Sequence, residues 1–123
     1  MLDMVNSSRT FSSYNYPNTY PRGIECLNLV MALSNGSIHI TVVTFDTERS
    51  FDTLEIGHGS NPNDRRELLT LTGTVVPNSA TFQGPSVWMR FRSDDDEERS
   101  GYRLDFEWIS PTKSGIPINL WVI

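Results

Sequence analysis

Apolar and polar residues alternate with a period of two through most of the chain. From Ile38 to Phe45, the residues Ile38, Ile40 and Val42 fall on one face and His39, Thr41 and Val43 on the other, a β-branched run that predicts a strand. The same alternation sets Val87, Met89 and Phe91 against Trp88, Arg90 and Arg92, and Tyr102, Leu104, Phe106 and Trp108 against Arg103, Asp105 and Glu107. Shorter strands are expected at Leu27 to Ala32, Phe51 to Ile56 and Leu68 to Thr72. Turn-forming clusters stand between them: Ser34 to Ser37, Gly57 to Asp64, Val76 to Ser79, Gln83 to Ser86 and Asp94 to Gly101. No window of helical length carries a capped apolar stripe with a period of about 3.6 residues.

Many short strands, each with one apolar face, bury those faces only against a second sheet. The expected fold is therefore all-β, an antiparallel β-sandwich. Residues 10–108 are expected to form it, with residues 1–9 as an N-terminal flank and residues 109–123 as a tail, a last strand or a linker. A length of 123 residues suits one hydrophobic core.

Charge and cysteine content then narrow the chemistry. Fifteen acidic side chains against ten basic ones give a formal charge of -5, and Lys113 is the only lysine. With no polybasic run to neutralise phosphates, nucleic acid and anionic membrane surfaces are not expected as partners. No apolar run approaches the roughly 20 residues needed to span a bilayer, so membrane insertion is not expected either. Met1 to Ser8 has neither the charged start nor the apolar stretch of a secretory signal, so no signal peptide is expected in this sequence. The lone Cys26 forms no intrachain disulfide and no cysteine-rich zinc site, which leaves oxygen ligands for any metal. His39 and His58 are isolated, no nucleophile motif accompanies them, and no pair of carboxylates stands out as a glycosidase pair. An enzyme is not expected.

Several segments carry a family resemblance. Asn15 to Pro21 (NYPNTYP), followed by Glu25 and Cys26, resembles the opening of a CUB domain. Phe45 to Glu48 (FDTE), Phe51 to Gly59 (FDTLEIGHG), Leu71 to Gly73 (LTG), Phe91 to Asp94 (FRSD) and Ser100 to Phe106 (SGYRLDF) resemble the family's later segments, in order, across roughly residues 10–108. The chain departs from the pattern as well. Tyr14 stands where Pro is usual, Asn28 where Trp is usual, and Ser50 or its neighbours and Thr72 occupy the places of the second disulfide. Cys26 matches the second family cysteine, whose partner is expected some 25 residues upstream, at or just before Met1; the alternative is a free, buried thiol. Without disulfides the sandwich is held by its core, to which three Trp, six Phe and four Tyr contribute.

The resemblance implies a jelly-roll-like CUB fold and, from the family's calcium-binding subset, a site. Carried over residue by residue, its members are Tyr20, Glu48, Asp52 and Asp94, with Glu48, Asp52 and Asp94 as Ca²⁺ ligands. Elementary coordination chemistry agrees. Ca²⁺ takes about six to eight oxygens, which loops at one end of a sandwich supply without straining the strands. Glu48 and Asp52 flank the short Arg49 to Phe51 connection, and Asp94 opens a loop whose residues Asp95 to Ser100, Asp96 or Glu97 among them, offer further oxygens. Three carboxylates around one Ca²⁺ leave about one negative charge. That charge, with the Tyr20 hydroxyl, is what a Lys or Arg of a protein partner would read. The implied function is a non-enzymatic, extracellular protein-interaction module of open oligomeric state.

The plainer readings stand beside this one. The run Asp94 to Glu98 also suits a solvated loop, and Tyr20 also suits a packing role. Asn6 and Asn35 begin glycosylation sequons, which suits a secreted glycoprotein. A metal-free structural spacer or oligomerisation unit is one alternative. A carbohydrate-binding sandwich is another, with Trp88, Trp108 or Trp121 stacking on sugars.

Overall fold

In the computed structural model, residues 2–4, 8–32, 36–74 and 78–109 are described. They form nine strands: β1 (Leu2–Met4), β2 (Ser8–Ser12), β3 (Glu25–Ala32), β4 (Ser37–Asp46), β5 (Thr53–His58), β6 (Leu68–Thr72), β7 (Asn78–Gln83), β8 (Ser86–Arg92) and β9 (Gly101–Ile109). One sheet has the order β1-β3-β8-β5-β6 and the other β2-β9-β4-β7. All pairings are antiparallel except the short parallel contact of β1 with β3. The architecture is the expected β-sandwich.

Each long strand sends its apolar set inward. Ile38, Ile40 and Val42 of β4, Leu54 and Ile56 of β5, Val87 of β8 and Leu104 of β9 expose no surface. A bulge between Val42 and Thr44 inserts one residue into β4, so Val42 and Phe45 both face the core although three positions separate them. Toward one end the core becomes aromatic. The ring of Tyr20 meets Phe91 edge-on at 5.0 Å, Phe91 meets Tyr102 at 5.4 Å, and Tyr102 stacks on Phe45 at 5.7 Å.

The structure departs from the sequence reading in four places. Residues 2–4 and 8–12 pair with β3 and β9, so much of the supposed N-terminal flank lies in the sheets; its runs are too short, and in β2 too polar, for a periodicity count. β7 begins at Asn78, inside a supposed turn, and buries Phe82. Phe51 sits in a turn and is 65% exposed, because β5 starts only at Thr53.

The fourth departure concerns Trp88, which lies on the outer face of its sheet yet exposes no surface. Gly57 stands opposite it in register, and a Cβ there would collide with the indole. The missing side chain lets the ring lie across β5. Arg90 packs over the indole at 5.5 Å, and Glu55 accepts from both Arg90 (3.2 Å) and Arg65 (2.5 Å).

Candidate metal centre

The turn between β4 and β5 is shaped by backbone bonds. The amides of Phe51 and Asp52 both donate to the Glu48 carbonyl, at 3.2 and 2.9 Å, which folds residues 49–51 back. Ser50 adopts a φ of 71°, in the left-handed region that side-chain-bearing residues avoid. Its amide donates to the Thr72 hydroxyl at 2.8 Å, and that hydroxyl donates to the Asp52 carbonyl at 2.8 Å. Thr47, buried, donates to the same carbonyl at 3.0 Å and accepts from the Gly73 amide at 3.0 Å. Where the resemblance places a disulfide, a threonine hydroxyl thus ties Ser50 to β6.

Asp94 arrives from the other side. Ser93 anchors it: its hydroxyl donates to the Pro21 carbonyl at 2.8 Å and accepts from the Ile24 amide at 3.1 Å. The Asp94 carbonyl accepts from the Gly23 amide at 2.7 Å.

These anchors bring the three carboxylates together. Glu48, Asp52 and Asp94 each offer one oxygen, and the three oxygens lie within 4.8 Å of one another. Asp52 is wholly buried and its oxygens are fixed: Oδ1 accepts from the Asp94 amide at 2.9 Å and Oδ2 from the Tyr20 hydroxyl at 2.5 Å. Tyr20 serves both the core and the cluster. Its ring belongs to the core, while its hydroxyl also accepts from the Glu48 amide at 3.1 Å. Tyr20 and Asp52 expose no surface, so direct contact of the Tyr20 hydroxyl with a partner gives way to a supporting role beneath the rim.

The charge of the cluster is uncompensated. Among the described residues no arginine pairs with Glu48, Asp52 or Asp94. Arg99 pairs instead with Glu97 and, at 3.4 Å, with Asp46, Arg22 pairs with Glu98 at 3.3 Å, and the stem of Arg49, in the turn itself, lies toward Gly73. Glu48 Oε1 is buried without a hydrogen-bond partner. Partial desolvation, hydrogen bonding of the protonated form to Asp94, and the charges of Asp94, Asp52 and Asp96 push the Glu48 carboxyl up to about 7. Burial and the bond to Asp52 raise the Tyr20 hydroxyl well above the usual phenol range. An orphaned buried oxygen, three converging carboxylates and a proton held near neutrality are what a hard cation would relieve, so the donor set fits Ca²⁺.

The other candidates are scattered. In the acidic loop, Glu97 turns to Arg99, and Asp96 donates its amide to Asp94 Oδ1 at 3.1 Å. Trp88 is buried and offers no open face for sugar stacking, while Trp108 is half-buried against the core with an unpartnered, buried Nε1. Trp121, Asn6 and Asn35 lie outside the described residues. Cys26, on β3, is free and exposed, which overturns its reading as a buried thiol. His39 bonds Thr81 at 2.8 Å on an outer sheet face. The anchoring hydroxyls of Thr47, Thr72 and Ser93 were missed from the sequence, where only Thr72, in a family cysteine position, gave a signal.

Comparison with known proteins follows the same line. A family model described as CUB domain matches residues 2–106. The cubilin homolog of Drosophila melanogaster is 32% identical over 105 residues, which is 82% of this chain and 3% of that protein. Cubilin of Rattus norvegicus is 28% identical over 120 residues, again spanning 3% of its length. The chain thus corresponds to a small fraction of these relatives. Among solved structures, the MASP-1 CUB2 domain bound to Ca²⁺ superposes with a TM-score of 0.73 at 24% identity, covering 86% of this chain and 96% of that one.

Proposed function

The chain belongs to the CUB domain family, and from that premise we propose that it is a non-enzymatic, extracellular interaction module that binds Ca²⁺ and, through the Ca²⁺-ordered rim, a basic side chain of a protein partner. The observation that carries this reading is the convergence of Glu48, Asp52 and Asp94 within 4.8 Å with no cation of the chain's own between them. A bound Ca²⁺ supplies charge neutralisation and a fixed centre for the loop oxygens. The chain's residues do the rest. Tyr20 and the Asp94 amide orient Asp52 from below, and the turn 48–52 holds Glu48 at the rim. Asp94, half-buried, would offer its carboxylate to the ion from the other side of the cluster. About one net negative charge then remains for a Lys or Arg, which docks as a charge-assisted donor.

Calorimetry with CaCl₂ tests the ion site. Binding is expected in the millimolar range or tighter, and lost in Asp94→Ala; no heat at millimolar Ca²⁺ would remove the reading. The partner step is tested with immobilised poly-lysine and poly-arginine peptides. Capture is expected to require Ca²⁺ and intact Glu48 and Asp94. A metal-free spacer would respond to neither probe.

A further inference from the structure

Eight of the nine arginines have a partner. Arg9 donates to the Ser8 carbonyl at 3.1 Å, and the other seven face a carboxylate at 3.8 Å or less. The ninth is Arg49, which is exposed and has no hydrogen bond or ion pair among the described residues. It stands in the turn between β4 and β5, next to Glu48 and three residues before Asp52, beside carboxylates that lack a cation.

The fold holds this guanidinium off the cluster. Its stem lies across Gly73, where a Cβ would come 3.3 Å from Arg49 Cγ and 3.6 Å from Cδ. Gly73 is itself fixed: its amide donates to the Thr47 hydroxyl at 3.0 Å and its carbonyl accepts from the Thr47 amide at 2.9 Å. Its φ of 79° is one that glycine adopts without strain. A bare, anchored stretch of backbone thus carries the stem to the far side of the turn. Asp94 lies at the opposite side. Arg92, Thr53 and Thr72 stand in register across β8, β5 and β6, so Asp94, Asp52 and Gly73 leave that sheet side by side. Neighbouring strands run about 4.8 Å apart, so the acidic cluster and the Arg49 stem occupy adjacent lanes at this end of the sandwich.

We infer that Arg49 is a specificity-determining residue of the rim: it takes a carboxylate of the protein partner, so that the epitope is a basic and an acidic side chain presented together. The inference rests on the reading of the rim as a Ca²⁺-dependent site for a basic side chain. In an extended segment, side chains two residues apart share a face at about 6.8 Å, which spans one to two strand spacings. A Lys-x-Glu or a Glu-x-Lys sequence fits, according to the direction in which the segment crosses the rim. Its cation meets the charge left around the ion, and its carboxylate meets the planar fork of the guanidinium, which binds it bidentately. The general field works against that carboxylate, since a chain with a formal charge of -5 repels an added anion. Attraction of an acidic residue therefore needs a local cation.

The test uses immobilised, end-blocked peptides, Gly-Gly-Lys-Gly-Glu-Gly-Gly and Gly-Gly-Glu-Gly-Lys-Gly-Gly, each beside a counterpart with Gln in place of Glu. Capture of the 123-residue chain is measured by surface plasmon resonance at saturating CaCl₂. In the wild type, one order is expected to bind at least about threefold more tightly than its Gln counterpart, within the range of an exposed ion pair. Arg49→Gln is expected to remove or invert that preference. Arg49→Lys, which keeps the charge but loses the fork, is expected to retain part of it. Each comparison is a ratio of two peptides on one protein, so a change in Ca²⁺ affinity cancels. Equal capture of Glu and Gln peptides by the wild type overturns the inference. So does a preference that survives in Arg49→Gln, which would put the carboxylate on the ion itself. Failure of the rim reads differently: the Gln peptides, which carry only the basic side chain, are then not captured either, and both readings fall.

Discussion

Two carboxylates in this molecule meet opposite fates. Glu55, on the outer face of β5, accepts from Arg65 and Arg90, and these bonds hold its carboxyl below the usual range against the opposing effect of burial. Glu48, at the acidic end, faces only other carboxylates and is pushed up to about 7. The sequence puts both on β-rich segments with arginines nearby, so residue type does not separate them. What separates them is whether the chain itself brings a cation to the site. It does so over Trp88, where the cluster is complete and structural. At the rim it does not, and there an external cation has something to do.

The sharpest break of that contrast is the removal of Asp52. Asp52→Ala leaves the Tyr20 hydroxyl and the Asp94 amide without their partner. We expect a loss of about 2–4 kcal/mol in urea unfolding, from two buried groups left unpaired, together with loss of Ca²⁺ binding. Next in size is the ion itself: Ca²⁺ at about 100 times its dissociation constant is expected to stabilise the fold by about 2.7 kcal/mol, seen as a rise in Tm that Asp94→Ala abolishes.

At the other region, Glu55→Gln should cost about 1–2 kcal/mol, because charge-assisted bonds to two arginines are weakened, and should leave Ca²⁺ affinity unchanged. An effect on Ca²⁺ binding would show that the two clusters are not separate. The smallest expected effect is on pH dependence, and it has opposite signs at the two sites. Glu48 holds its proton more tightly when folded, so without Ca²⁺ its contribution to stability is complete below about 4.5 and is lost as pH rises toward about 7. Glu55, with a depressed folded value, contributes above its ordinary range and loses that contribution as pH falls below about 4.5. Melting curves across this window should tilt downward with rising pH through Glu48, and Glu48→Gln or saturating Ca²⁺ should remove that tilt.

Much of the architecture was legible in advance because a half-buried sheet imposes a period of two. Ile38, Ile40, Val42, Leu104 and Phe106 are buried where alternation puts them. The reading failed where pairing or a neighbour overrides the local pattern. β2 is mostly polar and is held by its ladder to β9, and Trp88 is buried on an outer face because Gly57 across the strand pair makes room for it. The acidic residues were visible singly, and their order along the chain pointed to a shared site. The hydroxyls of Thr47 and Ser93, which aim the backbone beneath them, were not visible, since a threonine or serine in a strand or turn has no local mark of what it anchors; Thr72 was marked only by its family cysteine position.

By itself the sequence determined the class of fold, because periodicity is carried by each position alone, and the resemblance of its motifs singled out Glu48, Asp52 and Asp94 as candidates. Only the tertiary structure decided that Glu48, Asp52 and Asp94 meet within 4.8 Å, that Asp52 is buried on the hydroxyl of Tyr20, and that Cys26 is exposed. Convergence and burial are relations between segments far apart in the chain, and they come into being only when the two sheets close on each other.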